Sequence, residues 1–147
     1  MFPKILTILS HQASPKIPNY LIDTHILLWH SENDTKLSQT VLAELNSPST
    51  KLYISQATYW EMTIKKGLGK LNLTGSISDF YLSALQNSFQ VLPFDIGHCQ
   101  VLENLPQYHS DPFDRMIIAQ AIAENLVIIT QDEKFRLYEE LVTIFWN

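Results

Sequence analysis

Residues 111–132, DPFDRMIIAQAIAENLVIITQD, combine the clearest predicted helix of the chain with an apolar strand directly behind it. Apolar residues recur at helical spacing from Pro112 to Asn125, and Asp111 followed by Pro112 is a typical helix start. The next five residues, LVIIT (126–130), form a short apolar run of the kind found in buried parallel strands. A helix that leads into a buried strand is the repeating unit of an α/β fold.

The same alternation extends from this segment toward both ends of the chain. Strand-like runs are predicted at YLID (20–23), KLYIS (51–55), VLPF (91–94) and LVTIF (141–145). Helices are predicted between them at residues 37–45, 57–67, 77–89, 95–105 and 133–140. This pattern predicts a three-layer α/β/α domain around a central parallel sheet of four to five strands.

Composition favours one globular domain with a substantial core, since the chain has 147 residues, of which 46% are hydrophobic and 17% charged. Residues 1–18 are expected to be a flexible extension outside the fold, and residues 19–147 to be the domain itself. The apolar stretch MFPKILTIL is short for a signal peptide and the residues after it fit a cleavage site poorly. No apolar run is long enough to span a membrane.

The net charge and the cysteine content bear on the possible ligands and on the cellular compartment. The net charge of −5 lacks the basic excess usual in nucleic-acid binders, although bound metal and local lysines can meet phosphate without it. Cys99 is the only cysteine, so the chain has no internal disulfide and suits a reducing cytoplasm. Lys65, Lys66 and Lys70 form either a solvated helix face or a contact for phosphate.

Four acidic residues stand at breaks in the apolar pattern. Asp23 ends the first predicted strand, Asp132 lies just past the fourth, and Glu61 and Asp114 lie in helical segments. Ligands of parallel α/β sheets bind beyond the carboxyl ends of the strands, so these side chains are expected to converge there. Converging carboxylates repel one another unless a cation is bound, which predicts a metal-dependent site that acts on phosphodiesters.

Each acid also has an ordinary alternative. Asp23 and Asp132 are suitable caps for the helices that follow them, and Asp114 is a favourable acid for a first helical turn. Glu61 is one turn from Lys65, the spacing of a surface ion pair. His25 and His109 lie near the acids but lack any zinc-binding spacing, so they are interpreted as surface or packing residues.

Four motifs in sequence order resemble those of PIN-domain ribonucleases, and in particular the VapC-like toxins of bacterial toxin–antitoxin pairs. They are YLIDTHILLW, SxxTYWEMTIKKGLGKL, HSDPFDRMIIAQA and ITQDEKFRLY, and the resemblance covers about residues 19–147. It implies an RNA-cleaving enzyme whose catalytic, metal-binding carboxylates hold Mg²⁺ or Mn²⁺: Asp23, Glu61, Asp114 and Asp132. It further implies that Thr24, Ser55 and Thr130 shape the site and that Arg115 matches the Arg of a DPFDR-type motif.

The resemblance also implies partners, namely an RNA substrate and a cognate antitoxin protein that blocks the site. The helices at 57–67 and 77–89 are expected to form an apolar groove for that partner, unless their apolar residues pack internally or in a homodimer. Two other functions stay open. One is a PIN-like module that binds RNA or protein without cutting. The other is a phosphatase that uses Asp23, although such enzymes require a second acid at the position that His25 occupies here.

Overall fold

The computed structural model describes residues 18–147, which form a parallel five-stranded sheet with helices on both faces. The strands are β1 (Asn19–Ile22), β2 (Lys51–Ser55), β3 (Phe89–Leu92), β4 (Val127–Thr130) and β5 (Ile144–Trp146). The helices are α1 (Thr24–Ser31), α2 (Gln39–Asn46), α3 (Gln56–Gly67), α4 (Ile77–Gln86), α5 (Ile96–Asn104) and α6 (Pro112–Glu124), followed by a 3₁₀ helix (Glu133–Tyr138). The predicted three-layer α/β/α class is confirmed.

The strand order is β3-β2-β1-β4-β5, so the chain builds one half of the sheet outward from β1 and then returns to build the other half. The order reverses between β1 and β4, and a crevice opens at the carboxyl ends of the strands at such a point. Ile22 pairs with Ile129 in the sheet, so the residues that follow them, Asp23 and Thr130, lie side by side at the carboxyl edge.

Two apolar clusters cover the two faces of the sheet. Tyr20 and Ile22 of β1 belong to one cluster, together with side chains from α1, α2 and α3. Leu21 points the other way, into a cluster with side chains from α6 and the 3₁₀ helix. Because successive side chains of a strand point to opposite faces, a run such as YLI is apolar throughout only when both faces are buried.

The predicted third strand was misplaced. The helix expected at 77–89 ends at Gln86, and β3 begins at Phe89 rather than at residue 91. Ser88 takes a positive φ of 69°, which turns the chain out of the helix and into the strand. Pro93 lies just beyond β3, which is an edge strand as the proline predicted.

The last strand also begins later than predicted, at Ile144 rather than at residue 141. The backbone N–H groups of Leu141 and Val142 donate to the carbonyl of Tyr138 at 2.9 and 3.1 Å, so this segment forms a turn. The expected extension at 1–18 lies outside the described residues except for Pro18, whose carbonyl accepts a bond from Lys51 N at 3.1 Å. Its boundary stays a prediction. None of the helices within residues 18–147 has the length and apolarity needed to cross a membrane.

Candidate active site

Asp23 lies at the junction of β1 and α1 and is almost wholly buried, with 3% of its surface exposed. Its Oδ1 accepts a hydrogen bond from the backbone N–H of Thr24, and its Oδ2 accepts one from the hydroxyl of Thr130, each at 2.8 Å. The Thr130 hydroxyl oxygen in turn accepts from the backbone N–H of Asp132 at 3.0 Å. Thr130 therefore ties together the two acids that follow neighbouring strands.

Burial raises the pKa of Asp23 to about 6, because the ionised carboxylate loses its hydration. The hydrogen bond from Thr130 and the charge of His25 act in the opposite direction and lower this pKa, whereas the charge of Asp132 raises it. The effect of Asp132 shows that the two strand-end carboxylates are within electrostatic reach of each other.

Glu61 reaches the same place from α3 and is 4% exposed. Its Oε1 accepts from the hydroxyl of Thr24 at 2.8 Å, and its Oε2 lies 2.8 Å from Nζ of Lys65. The ion pair that the i, i+4 spacing predicted is thus present, but the carboxylate is buried rather than on a solvated face. The bond to Glu61 raises the pKa of Lys65, and the charges of Asp111 and Asp114 add to the effect.

Asp114 comes from the first turn of α6, on the opposite side of the sheet from α3. Asp111 is the cap of this helix and accepts from the backbone N–H groups of Phe113 and Asp114, each at 2.9 Å. The side chain of Asp114 is thereby free to point elsewhere, and its Oδ2 lies 2.8 Å from Nε2 of His109. Burial first, and the charge of Asp23 second, raise the pKa of Asp114 to about 7.

The structure therefore brings the four predicted acids to the carboxyl edge of the sheet, from two strand ends and from both helix layers. As placed, each is engaged by the protein: Lys65 pairs with Glu61, His109 with Asp114, and Asp132 accepts from the N–H of Lys134 at 3.0 Å. Within residues 18–147 no three His, Cys, Asp or Glu side chains stand as a ready-made group around an ion.

The chemistry of the donor atoms nevertheless fits a hard divalent cation, because every predicted ligand offers carboxylate oxygen. The pKa values of Asp23 and Asp114 are raised first by burial, and that of Asp114 next by the charge of Asp23, so a cation bound between them would favour their ionised forms. Lys65 and His109 would have to yield their positions for the four carboxylates to surround an ion together.

Two of the predicted supporting residues act at a distance from the acids. Ser55 caps α3 by accepting from Ala57 N at 3.0 Å, and its hydroxyl donates to the side chain of Gln120 on α6. It therefore holds the two helices that carry Glu61 and Asp114 in register.

Arg115 is buried, and its guanidinium donates to the carbonyls of Leu105, Pro106 and His109 and to the Tyr138 hydroxyl, at 2.9 to 3.3 Å. It fixes the loop before α6 rather than contacting the acids.

His109 is the residue that the sequence interpretation missed. The sequence predicts only a surface or packing role for it, yet it is 8% exposed and its ring contacts Asp114. Its position five residues before Asp114 carries no helical or zinc-binding spacing, so only the loop that Arg115 holds brings it there. His25, in contrast, is exposed, and its ring packs against Trp29 with centroids 6.1 Å apart.

Comparison with protein families matches residues 20–141 to the PIN domain. This chain belongs to the PIN-domain family. The assignment supports a hydrolase of the nuclease class, and it confirms the resemblance that the four motifs indicated. No curated protein matches the chain significantly in sequence.

Solved structures show the same PIN fold in toxin–antitoxin complexes. A chain of VapBC2 from Rickettsia felis, solved with a promoter DNA fragment, has a TM-score of 0.63 at 19% identity and covers 87% of this chain and 98% of its own. A chain of VapBC-1 from nontypeable Haemophilus influenzae has a TM-score of 0.61 at 24% identity, with 88% and 96% covered. A chain of VapBC-5 from Mycobacterium tuberculosis has a TM-score of 0.55 at 20% identity, with 87% and 96% covered. At these identities the likeness concerns the fold.

Proposed function

We propose that this protein is a metal-dependent endoribonuclease and the toxin of a cytoplasmic toxin–antitoxin pair. Its metal-binding and catalytic carboxylates are Asp23, Glu61, Asp114 and Asp132. The observation that carries the proposal is the approach of two carboxylates from a strand end and a helix start: Asp23 is buried, Asp114 is half-buried, and the charge of Asp23 raises the pKa of Asp114. A protein gains nothing in stability from such an arrangement, so its use is to bind something positive.

Mg²⁺ or Mn²⁺, when bound, would lower the pKa of a water and hold the scissile phosphate in line. The chain's own residues prepare the ligands for this. Thr130 and Thr24 orient the carboxylates of Asp23 and Glu61, much as outer residues orient the ligands of other metal sites. The positive end of the α6 dipole lies at the turn that carries Asp114 and favours negative charge there.

Two other functions are weaker on specific grounds. A phosphatase that uses Asp23 as nucleophile would need a second acid two residues on, and this chain has His25 there, whose ring packs against Trp29. A PIN-like module without activity is favoured by one observation, namely that two of the acids already have a side-chain partner, Lys65 for Glu61 and His109 for Asp114. Cleavage assays separate this module from an enzyme.

The test is cleavage of RNA with Mg²⁺ or Mn²⁺ and with EDTA. EDTA should abolish cleavage. Asp23→Asn and Glu61→Gln should each lower the rate beyond the roughly 10- to 100-fold that the loss of an outer-shell residue costs. Glu103→Gln, a matched change at an exposed acid on α5, should leave the rate unchanged. Cleavage that persists in EDTA, or full activity of Asp23→Asn, would contradict the proposal.

The proposed protein partner is an antitoxin, as in the VapBC complexes that share this fold. An Arg or Lys of such a partner can pair with several of the carboxylates at once. The rest of the antitoxin segment can bind in a groove of about 440 Å³ between α3 and α4, which is lined among others by Tyr59, Ile77 and Tyr81. A homodimer through the same surface is the alternative.

The partner is tested by expressing the protein with and without the small gene beside its own, followed by co-purification and measurement of molecular mass. Toxicity that the neighbouring gene relieves, together with a stable complex, is the expected result. Harmless expression of the intact protein with no co-purifying partner would contradict the toxin role and leave the nuclease chemistry untouched.

A further inference from the structure

Trp60 is the most exposed of the chain's three tryptophans and lies on α3, the helix that carries Glu61. Its side chain is 56% exposed on α3, whereas Trp29 and Trp146 are half-buried. The next residue, Glu61, is one of the buried acids. A large exposed indole at this position has no role in the core and is an unusual use of a residue that normally buries most of its surface.

The indole of Trp60, the residue before Glu61, contacts the ring of Phe113, the residue before Asp114. Phe113 of α6 lies with its ring centroid 5.3 Å from that of Trp60, and the two planes are 85° apart. Phe113 directly precedes Asp114. Since α3 and α6 lie on opposite sides of the sheet, this aromatic pair bridges the two helix layers next to the helix start that carries Asp114.

The edge-to-face arrangement leaves the indole available for stacking. If the edge of Phe113 points at Trp60, it covers one face of the indole and leaves the other uncovered. If the edge of Trp60 points at Phe113, both indole faces remain uncovered by Phe113. In either case a flat aromatic surface is exposed on the helix that carries Glu61, in contact with a second ring from the helix that carries Asp114.

We propose that Trp60 is a stacking platform for an unpaired base of the RNA substrate next to the phosphate that is cut. The inference rests on the function proposed above and adds to it a residue that positions the RNA strand. Every base has a π-face, so such a platform binds single strands with little regard to sequence, whereas the bases of a duplex are already stacked and paired.

A nucleic acid fits this position better than a protein segment because the Trp60 ring contacts the start of α6, which carries Asp114. Trp60 is one of the residues that line the groove between α3 and α4, but its ring also contacts Phe113, which directly precedes Asp114 at the start of α6. A strand whose phosphate lies at the acids must place a neighbouring base within reach of these two rings. An antitoxin that blocks the site would cover the same ring, which is consistent with its exposure in the free protein.

The experiment compares Trp60→Ala, Trp60→Phe and a matched control, Leu82→Ala, which alters an α4 side chain that is 54% exposed and does not line the groove. Affinity for a short single-stranded oligoribonucleotide and for the matched duplex is measured in Mg²⁺ in a cleavage-deficient Asp23→Asn background, by anisotropy and by quenching of tryptophan fluorescence. Separately, KM and kcat are measured with each substitution in the otherwise intact full-length protein.

Trp60→Ala should weaken single-strand binding about tenfold, which corresponds to about 1.4 kcal/mol and lies within the range for one stacked base. KM should rise while kcat stays within about twofold, and the preference for the single strand over the duplex should shrink. Trp60→Phe should retain most of the affinity because it keeps an aromatic face, and Leu82→Ala should behave like the original protein. The quenching of fluorescence should be lost in both Trp60 variants.

Three results would overturn the inference: unchanged affinity of Trp60→Ala for single strands, an equal loss in Trp60→Phe, or a fall in kcat at constant KM, which would mean that Trp60 only supports Glu61. Unchanged RNA binding combined with loss of the complex with the neighbouring gene's product would make this a protein-docking surface instead. If the original protein neither binds nor cuts RNA, the failure lies with the proposed function rather than with Trp60.

Discussion

The Nζ atom of Lys65 lies 2.8 Å from Oε2 of the buried carboxylate of Glu61, so the fold itself supplies positive charge to the acids at the sheet edge. The charges of Asp111 and Asp114 also raise the pKa of Lys65, which places the ammonium within the field of the whole group. A divalent cation and this ammonium therefore compete for the same negative charge.

Replacing Lys65 with Met should strengthen metal binding and weaken the metal-free protein. Glu61 would lose its partner, at a cost of about 1–2 kcal/mol after allowance for the half-exposed lysine. The apparent affinity for Mn²⁺ should rise several-fold, up to about tenfold, because no ammonium has to be displaced. Calorimetric titration with Mn²⁺ and thermal unfolding in EDTA measure the two effects.

Lys51→Met, at an exposed position at the amino end of β2, is the matched control and should alter neither quantity. Equal or weaker Mn²⁺ binding by Lys65→Met would mean that Lys65 supports the site rather than competing for it.

Replacing Thr130 with Val should disturb both strand-end acids at once. The change keeps the shape of the side chain but removes the donor to Asp23 and the acceptor for the N–H of Asp132. Two buried polar groups lose a partner, so we expect the free energy of unfolding to fall by about 1–3 kcal/mol. RNA cleavage should fall as well, and Thr130→Ser should restore most of both. Chemical denaturation and initial rates provide the measurements, and unchanged cleavage by the Val variant would show that this hydroxyl is not needed at the site.

The metal-free protein should lose stability as the pH rises. The folded-state pKa values of Asp23 and Asp114 are raised, to about 6 and about 7, above their ordinary value of 3.8. Between pH about 4 and 7 the folded state therefore binds more protons than the unfolded state, and stability is highest at the acid end of this window and falls through it. The melting temperature in EDTA should drop accordingly.

Asp114→Asn should flatten this pH dependence, because one of the two raised carboxyl groups is then absent. Mg²⁺ at the alkaline end should restore the melting temperature of the original protein by binding the ionised acids. A melting temperature in EDTA that rises from pH 4 to 7 would contradict the assigned direction of the pKa shifts.

Replacing Arg115 with Lys should loosen the loop before α6. The guanidinium donates to three backbone carbonyls and to the Tyr138 hydroxyl, and a lysine cannot reach all of them with its single ammonium. We expect a loss of about 1–3 kcal/mol in the free energy of unfolding and faster hydrogen exchange at residues 105–110.

Arg136→Lys is the matched control, because Arg136 pairs with Glu133 and Glu139 on an exposed surface and such pairs contribute little. Equal stability of the two variants would show that the bonds of Arg115 are replaceable.

Local pattern was sufficient to predict the architecture. Runs such as YLI and VII are apolar at every position because both faces of their strands are buried, and their alternation with helices leaves few other arrangements. The element ends were harder to place. Ser88 adopts a positive φ, and a serine does not signal such a turn in the sequence. The start of β3 was therefore predicted two residues late.

The sequence could place Asp23, Asp114 and Asp132 at one edge because each follows a strand or lies in the first turn of a helix, whereas Glu61 lies inside α3; their role as metal ligands stays a prediction. The contacts that surround the acids could not be predicted from the sequence. The contact of His109 with Asp114 depends on a loop that a buried arginine holds from α6, and the bond from Thr24 to Glu61 joins residues 37 positions apart. Hydrophobic periodicity and helix starts depend on residues that are close in sequence. The sequence by itself therefore determined the layers of the fold and the sheet edge at which the acids lie. Burial, hydrogen-bond partners and the mutual repulsion of the carboxylates depend on distances across the fold, so tertiary structure alone decided which acids are buried, which are neutralised and which face each other.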